Sequence, residues 1–308
     1  MLIGGEDPNH RSLSSIELLG LDNCSVPHLP EWRNNHGSFM TEWGSLAVCG
    51  GRWAGKPMSS DCLVLNTTSK QWERGLLGQV LGDIVVGVIR LSVGTLMVHH
   101  KNSSLLPSGE HNWIAGPSSP EVVQCATGIS EHSYLAFGDK FVQEFDSRTG
   151  PNTNEGWRTY DDWPKLEVTR YRPGCATLDA PEPMCIIAGG RNEQYERLKS
   201  VEIIFLSQKS RKRAQDMLTP RSNFNLIVLS GTTLLAFGGS NETSVEVWEG
   251  IDGPWSLTNF SLANARTQFS AFTTTDLVCS DGPLPPHSCP TVDGGSCVFP
   301  FKNGKSIC

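Results

Sequence analysis

The side chains of this chain best suited to chemistry are 10 Cys, 8 His and 4 Tyr, with 25 Lys and Arg among 308 residues. A metal site needs converging ligands, and no Cys-x-x-Cys or His-x-x-x-His spacing occurs. An even cysteine count without metal spacing favours disulfides and an oxidising compartment. Five N-glycosylation sequons, at Asn23, Asn66, Asn102, Asn241 and Asn259, point the same way. His99 and His100 are adjacent, and neighbours on a strand face opposite sides, so they make a poor ligand pair. No Ser or Cys lies in a nucleophile elbow or beside an identifiable base. The expectation is therefore no catalytic residue, no metal and no cofactor.

The cations carry more information. Four arginines share a pattern with an aromatic or small residue three places on: Arg33-Asn34-Asn35-His36, Arg172-Pro173-Gly174-Cys175, Arg221-Ser222-Asn223-Phe224 and Arg266-Thr267-Gln268-Phe269. A guanidinium fork on a rigid rim can clamp carboxylates, or it can cap a loop by bonding backbone carbonyls. Arg52, Trp53, Arg191 and Tyr195 follow two of the glycine pairs described below and add aromatic and cationic character, as binding hot spots often do. The one basic run, Lys209 to Arg213, reads as a solvated loop or a patch for heparin or an acidic partner. Asp161 and Asp162 read as solvating a turn. A net charge of −7 argues against a non-specific nucleic-acid binder.

The elements that must position these residues are read from internal repeats. Apolar runs end in a glycine pair at Gly4-Gly5, Gly50-Gly51, Gly189-Gly190 and Gly238-Gly239, with degenerate copies at His99-His100 and Gly138-Asp139. The first positions are spaced 46, 49, 39, 51 and 49 residues apart. A Ser-x-Glu follows in three repeats (Ser15-Ile16-Glu17, Ser200-Val201-Glu202, Ser244-Val245-Glu246), and a Trp in four (Trp72, Trp113, Trp157, Trp255). Each run is short, β-rich and bounded by Gly, Pro, Asn or Ser, and no sustained helical period is present. Six units of four antiparallel strands are expected to form an all-β ring. Residues 266–273 supply a first strand to the unit begun at Met1, which closes the ring and removes open edges. The longest apolar stretch, 84–98, is broken by Arg90 and Gly94, so no membrane span is expected.

With these motifs the chain resembles the kelch-repeat β-propellers over residues 1–279. The resemblance implies that loops between blades and after the glycine pairs share one rim, which binds partners in kelch adaptors of ubiquitin ligases. It would put Arg33, Arg172, Arg221 and Arg266 around that rim. In this register Cys49 and Cys62 lie on neighbouring strands, Cys175 and Cys185 flank a hairpin tip, and both pairs are disulfide candidates. Buried free thiols are the alternative. Cys24 and Cys125 have no obvious partner. Galactose-oxidase relatives share this ring, but that enzyme's copper site draws a His from a further domain that has no counterpart here. Stretches such as Cys24-Ser25-Val26-Pro27-His28-Leu29-Pro30 look like secreted invertebrate kelch proteins. Gly294 to Phe301 looks like the start of a fibronectin type II module, so 280–292 reads as a Pro-rich linker and 293–308 as a truncated module. The absence of a leader before Met1 implies a piece of a longer protein. The expected function is a non-enzymatic extracellular module, a monomeric propeller binding a protein or glycan through its rim. The alternatives are an intracellular scaffold or adaptor and, further off, a copper-oxidase relative.

Overall fold

The computed structural model describes residues 1–19, 26–52, 58–66, 68–82, 84–150, 153–158, 162–239, 241–251 and 253–273, with the backbone of two short hairpins between 278 and 297. Trp53, Cys24 and Asn23 lie outside the described residues, as does most of 280–308. Short strands bounded by turn residues cannot bury an apolar face alone, so they pair as antiparallel meanders and stack.

Blade 1 starts with β1 (Leu2–Ile3) and β2 (Ile16–Glu17). Blade 2 is β3 (Gly37–Met40), β4 (Leu46–Cys49), β5 (Cys62–Leu65) and β6 (Trp72–Arg74). Blade 3 is β7 (Val85–Leu91), β8 (Gly94–His99), β9 (Ser103–Pro107) and β10 (Ile114–Ala115). Blade 4 is β11 (Cys125–Gly128), β12 (Ser133–Phe137) and β13 (Val142–Asp146), with a single bridge from Phe145 to Trp157 in the fourth position. Blade 5 is β14 (Gly174–Leu178), β15 (Met184–Ala188), β16 (Val201–Phe205) and β17 (Ser210–Ala214). Blade 6 is β18 (Phe224–Ser230), β19 (Thr233–Gly238), β20 (Ser244–Glu249) and β21 (Trp255–Ser261). Finally β22 (Ser270–Ala271) pairs with β1, placing Leu2 opposite Ala271 and Ile3 opposite Ser270. The first strands touch in circular order, β22–β3–β7–β11–β14–β18–β22, and the molecule is a closed six-bladed β-propeller.

Why the strands read as continuous apolar runs is visible in the packing. Six core clusters fill the six gaps between blades, and alternate residues of one strand feed the clusters on its two sides. Met184, Ile186 and Ala188 of β15 pack towards blade 6, while Cys185 and Ile187 pack towards blade 4. Burial on both faces removes the polar alternation of a half-exposed strand. The glycine pair serves the same gaps. A Cβ on Gly189 would lie 2.9 Å from Cε1 of Phe224 in the next blade, and one on Gly239 would lie 3.0 Å from the Cβ of that same Phe224. With φ of 59° and 81°, both positions also favour glycine over any residue with a side chain. Trp72, Trp157 and Trp255 clamp the outer side, donating their indole N–H to the carbonyls of Pro27, Ser118 and Gln215 on the segments leading into their own blades.

One expected disulfide is present, and two other expectations change. Cys49 and Cys62 stand opposite each other on β4 and β5, Cα atoms 4.1 Å apart, and form a disulfide. Cys175 does not pair with Cys185. It bonds Cys125, with Cα atoms 6.2 Å apart, joining the first strands of blades 4 and 5. The register explains this: Cys175 lies opposite Ile187, and Cys185 lies opposite Thr177. Cys185 is a buried free thiol whose pKa burial pushes up to about 12. The basic run is also no loop, for Ser210–Ala214 is strand β17. Arg211 bridges Glu167 and Glu202, Arg213 meets Asp216, and Lys209 lies 4.9 Å over the Trp163 ring.

Candidate binding site at the channel mouth

At the glycine-pair end of the blades the arginines divide into two sets. The first is buried. Arg221 donates from Nη1 to the Gly238 carbonyl (2.8 Å) and from Nη2 to the Ser244 carbonyl (3.0 Å) and Glu246 Oε1 (2.9 Å). Arg170 repeats this with Gly189 (2.8 Å), Ser200 (2.9 Å) and Glu202 (3.0 Å). Arg266 does so with Gly4 (3.2 Å) and Glu17 (3.0 Å), and Arg33 with Gly50 (2.9 Å), Asp61 (2.8 Å) and Glu31. The glycine pair, the Ser-x-Glu and the preceding arginine are therefore parts of one bracket. It ties the start of blades 1, 2, 5 and 6 to their second and third strands. Arg33, Arg221 and Arg266 are at most 1% exposed, so they cap backbone carbonyls and are not available to a partner.

The fourth bracket arginine is Arg170 and not Arg172. Arg172 sits two residues on, with a φ of 55°, where the other blades have Asn35 (55°), Asn223 (53°) and Gln268 (55°). These residues form a hydrogen-bonded necklace around the channel. Asn35 N–H donates to the Gln268 carbonyl (2.8 Å), Gln268 to Asn223 (3.3 Å) and Asn223 to Arg172 (3.1 Å). Arg172 N–H donates to Gln124 Oε1 (3.1 Å), and Val85 N–H to the Asn35 carbonyl (3.1 Å). Arg172, Asn223 and Gln268 line both chambers of the channel, one of about 630 Å3 and one of about 500 Å3, and so form its waist.

The smaller chamber opens on the glycine-pair side. Its wall carries Arg172, Arg191, Arg197, Tyr171, Tyr195, His10 and the two acids Glu6 and Asp7. Backbone pairing sets these groups: Tyr171 and Arg191 exchange N–H to carbonyl bonds of 2.8 and 2.9 Å, and Arg52 exchanges them with Asn34. Half-buried Arg172 has its pKa lowered by burial first and then by the charges of Arg191 and Arg52, with Glu6 opposing. Its Nη1 donates to Asn223 Oδ1 (3.1 Å), and Arg191 Nε donates to Ser222 Oγ (3.3 Å). None of Arg52, Arg172, Arg191 and Arg197 makes an ion pair with a described carboxylate, whereas the bracket arginines all do. Tyr195, 72% exposed, stacks on Tyr171 with ring centroids 6.2 Å apart and planes at 15°. The charge of Asp139, with burial added, raises the Tyr171 phenol pKa. The arrangement offers planar donors, an aromatic platform and guanidinium charge outside any ion pair with a described carboxylate, which suits a carboxylate, sulfate or phosphate group.

Of the rim residues named from sequence, the structure thus brings Arg172, Arg191 and Tyr195 to this mouth, while Arg52 stands outside its lining and acts on Arg172 through its charge alone. Arg170, Tyr171 and the necklace were missed. Arg170 stands four residues before the Gly174 that starts β14, as Arg33 does before Gly37, a spacing that could have found it. His99 is buried with Nε2 3.2 Å from Ser104 Oγ, and His100 lines the larger chamber. Among the described residues no three His, Cys, Asp or Glu side chains converge to hold a metal ion, and no helix is long and apolar enough to cross a membrane. Asn102, Asn241 and Asn259 are exposed, while Asn66 is half-buried and donates to Glu73 (2.6 Å). No protein-family model matches the chain and no curated protein is detectably similar to it.

Proposed function

We propose that this chain is a non-enzymatic interaction module of kelch type, working outside the cell, which takes an anionic group of a protein or glycan partner at the glycine-pair mouth of its channel. The observation that carries this reading is the set of Arg172, Arg191 and Arg197 lining the smaller chamber, none of them in an ion pair with a described carboxylate, beside the Tyr171–Tyr195 stack. Clustered like charges disfavour one another, and an incoming anion relieves that repulsion. Two disulfides and five sequons support the extracellular assignment over an intracellular scaffold.

Binding of two probes, a hexaglutamate peptide and chondroitin sulfate, at low and at high salt tests this. Affinity for at least one probe that falls as salt rises is expected, because an exposed cationic site is screened. No binding of either probe at low salt overturns the proposal. For the compartment, a non-reducing peptide map of the chain from its native source should show Cys49 linked to Cys62, and free thiols there would contradict secretion.

A further inference from the structure

The outermost strand of each blade has unpaired backbone groups facing solvent, a ready template for another chain. Shortness or charge guards three of the described edges. Strand β6 is three residues with Glu73 and Arg74, β10 is two residues, and β17 has Arg211, Lys212 and Arg213. Blade 4 ends in one bridge. Blade 6 differs. Its edge, β21, runs seven residues as Trp-Ser-Leu-Thr-Asn-Phe-Ser without a charge, and Leu257 and Phe260 are 60% and 40% exposed. Six- and seven-residue segments that are β-prone, uncharged and free of Pro are those that pair into stacked sheets.

One feature of β21 supplies the missing guard. Asn259-Phe260-Ser261 is an N-glycosylation sequon in the middle of the edge, and Asn259 is exposed. Leu257 lies opposite Glu246 and Ser261 opposite Ser244, so Thr258, Asn259 and Phe260 together face Val245 alone. This bulge interrupts the ladder at the sequon, while Trp255, Ser256 and Leu257 stay in register and continue to offer an edge.

We infer that Asn259 is an N-glycosylation site whose glycan covers the β21 edge and keeps blade 6 from pairing with the same edge of a second copy. A branched, hydrated glycan beside Leu257 and Phe260 blocks the approach of another strand, as Arg211, Lys212 and Arg213 do on β17. The inference rests on the extracellular reading above.

The test is site occupancy together with oligomeric state, on chain secreted from a glycosylating cell line. Mass spectrometry should find Asn259 occupied, and light scattering should find a monomer. Asn259→Gln, and native enzymatic deglycosylation of folded wild type should the variant fail to fold, should produce dimers and larger species. Asn259→Lys, which lacks the glycan but restores charge, should stay monomeric. Asn259 unoccupied while Asn102 or Asn241 has a glycan overturns the inference and leaves the extracellular reading standing. No sequon occupied at all overturns both. Deglycosylated and Asn259→Gln protein as monomeric as wild type overturns the guarding role.

Discussion

His36 stands where blades 1 and 6 have Phe269 and Phe224. A Cβ on Gly4 would lie 2.9 Å from its Cε1 and one on Gly51 2.9 Å from its Cβ, the same relation Phe224 has to Gly189 and Gly239. Burial, reinforced by the charge of Arg33 and opposed by the Ile3 backbone, lowers its pKa from 6.5 to about 3. The unfolded chain therefore binds a proton below pH 6.5 that the folded chain refuses until about pH 3. Stability falls with acidification across that window, with a slope of about 1.4 kcal/mol per pH unit from this group. His36→Phe should raise Tm at pH 7 and flatten the decline between pH 6.5 and 3; a melt series with unchanged Tm and slope would contradict this. The residue scale is also where sequence reading loses resolution. Arg33 and Arg221 precede the glycines they cap by 17 residues, whereas Arg170 precedes Gly189 by 19. Arg172 fits the 17-residue spacing, but two extra residues in blade 5 shift the bracket to Arg170 and leave Arg172 for the waist.

At the scale of the element, the bracket is what holds a blade's glycine-pair end together. Arg221 and Glu246 are both fully buried, and Glu246 also accepts from the backbone N–H of Leu218 (2.7 Å) and Thr219 (3.1 Å). Removing one partner leaves an uncompensated buried charge, so Arg221→Ala should cost about 3–5 kcal/mol. Denaturant unfolding measures it, and a loss near that of a surface substitution would assign the bracket a minor role. The glycine pair, the Ser-x-Glu and the arginine were each legible as repeats. Their meeting was not, since Arg221 and Glu246 are 25 residues apart and only blade geometry joins them. Strand β17 is hidden in the sequence because its charges break the apolar pattern. On an outermost strand that pattern is not required, since one face and one edge meet water.

At the scale of the whole molecule, closure by β22, six inter-blade cores and the necklace make a rigid ring. Blades 3 and 4 lack the arginine bracket, and there the ring uses other means: Ser104 Oγ accepts the Leu81 N–H (2.9 Å), and Cys125–Cys175 fastens blade 4 to blade 5. Cys125→Ser with Cys175→Ser should lower stability by about 2–4 kcal/mol. A non-reducing digest should show that pair linked with Cys185 free, and a Cys175–Cys185 peptide would contradict the assignment. Ring and blade number were legible because glycine pairs recur at a blade's spacing. The disulfide across blades was not, because its two cysteines belong to different repeats. The division of arginines into a buried frame and a binding mouth is tested most directly by the affinity of Arg191→Glu with Arg197→Glu for hexaglutamate and chondroitin sulfate at low salt. A loss of at least tenfold, about 1.4 kcal/mol or more, at unchanged Tm is the expected result, and affinity equal to wild type would contradict it.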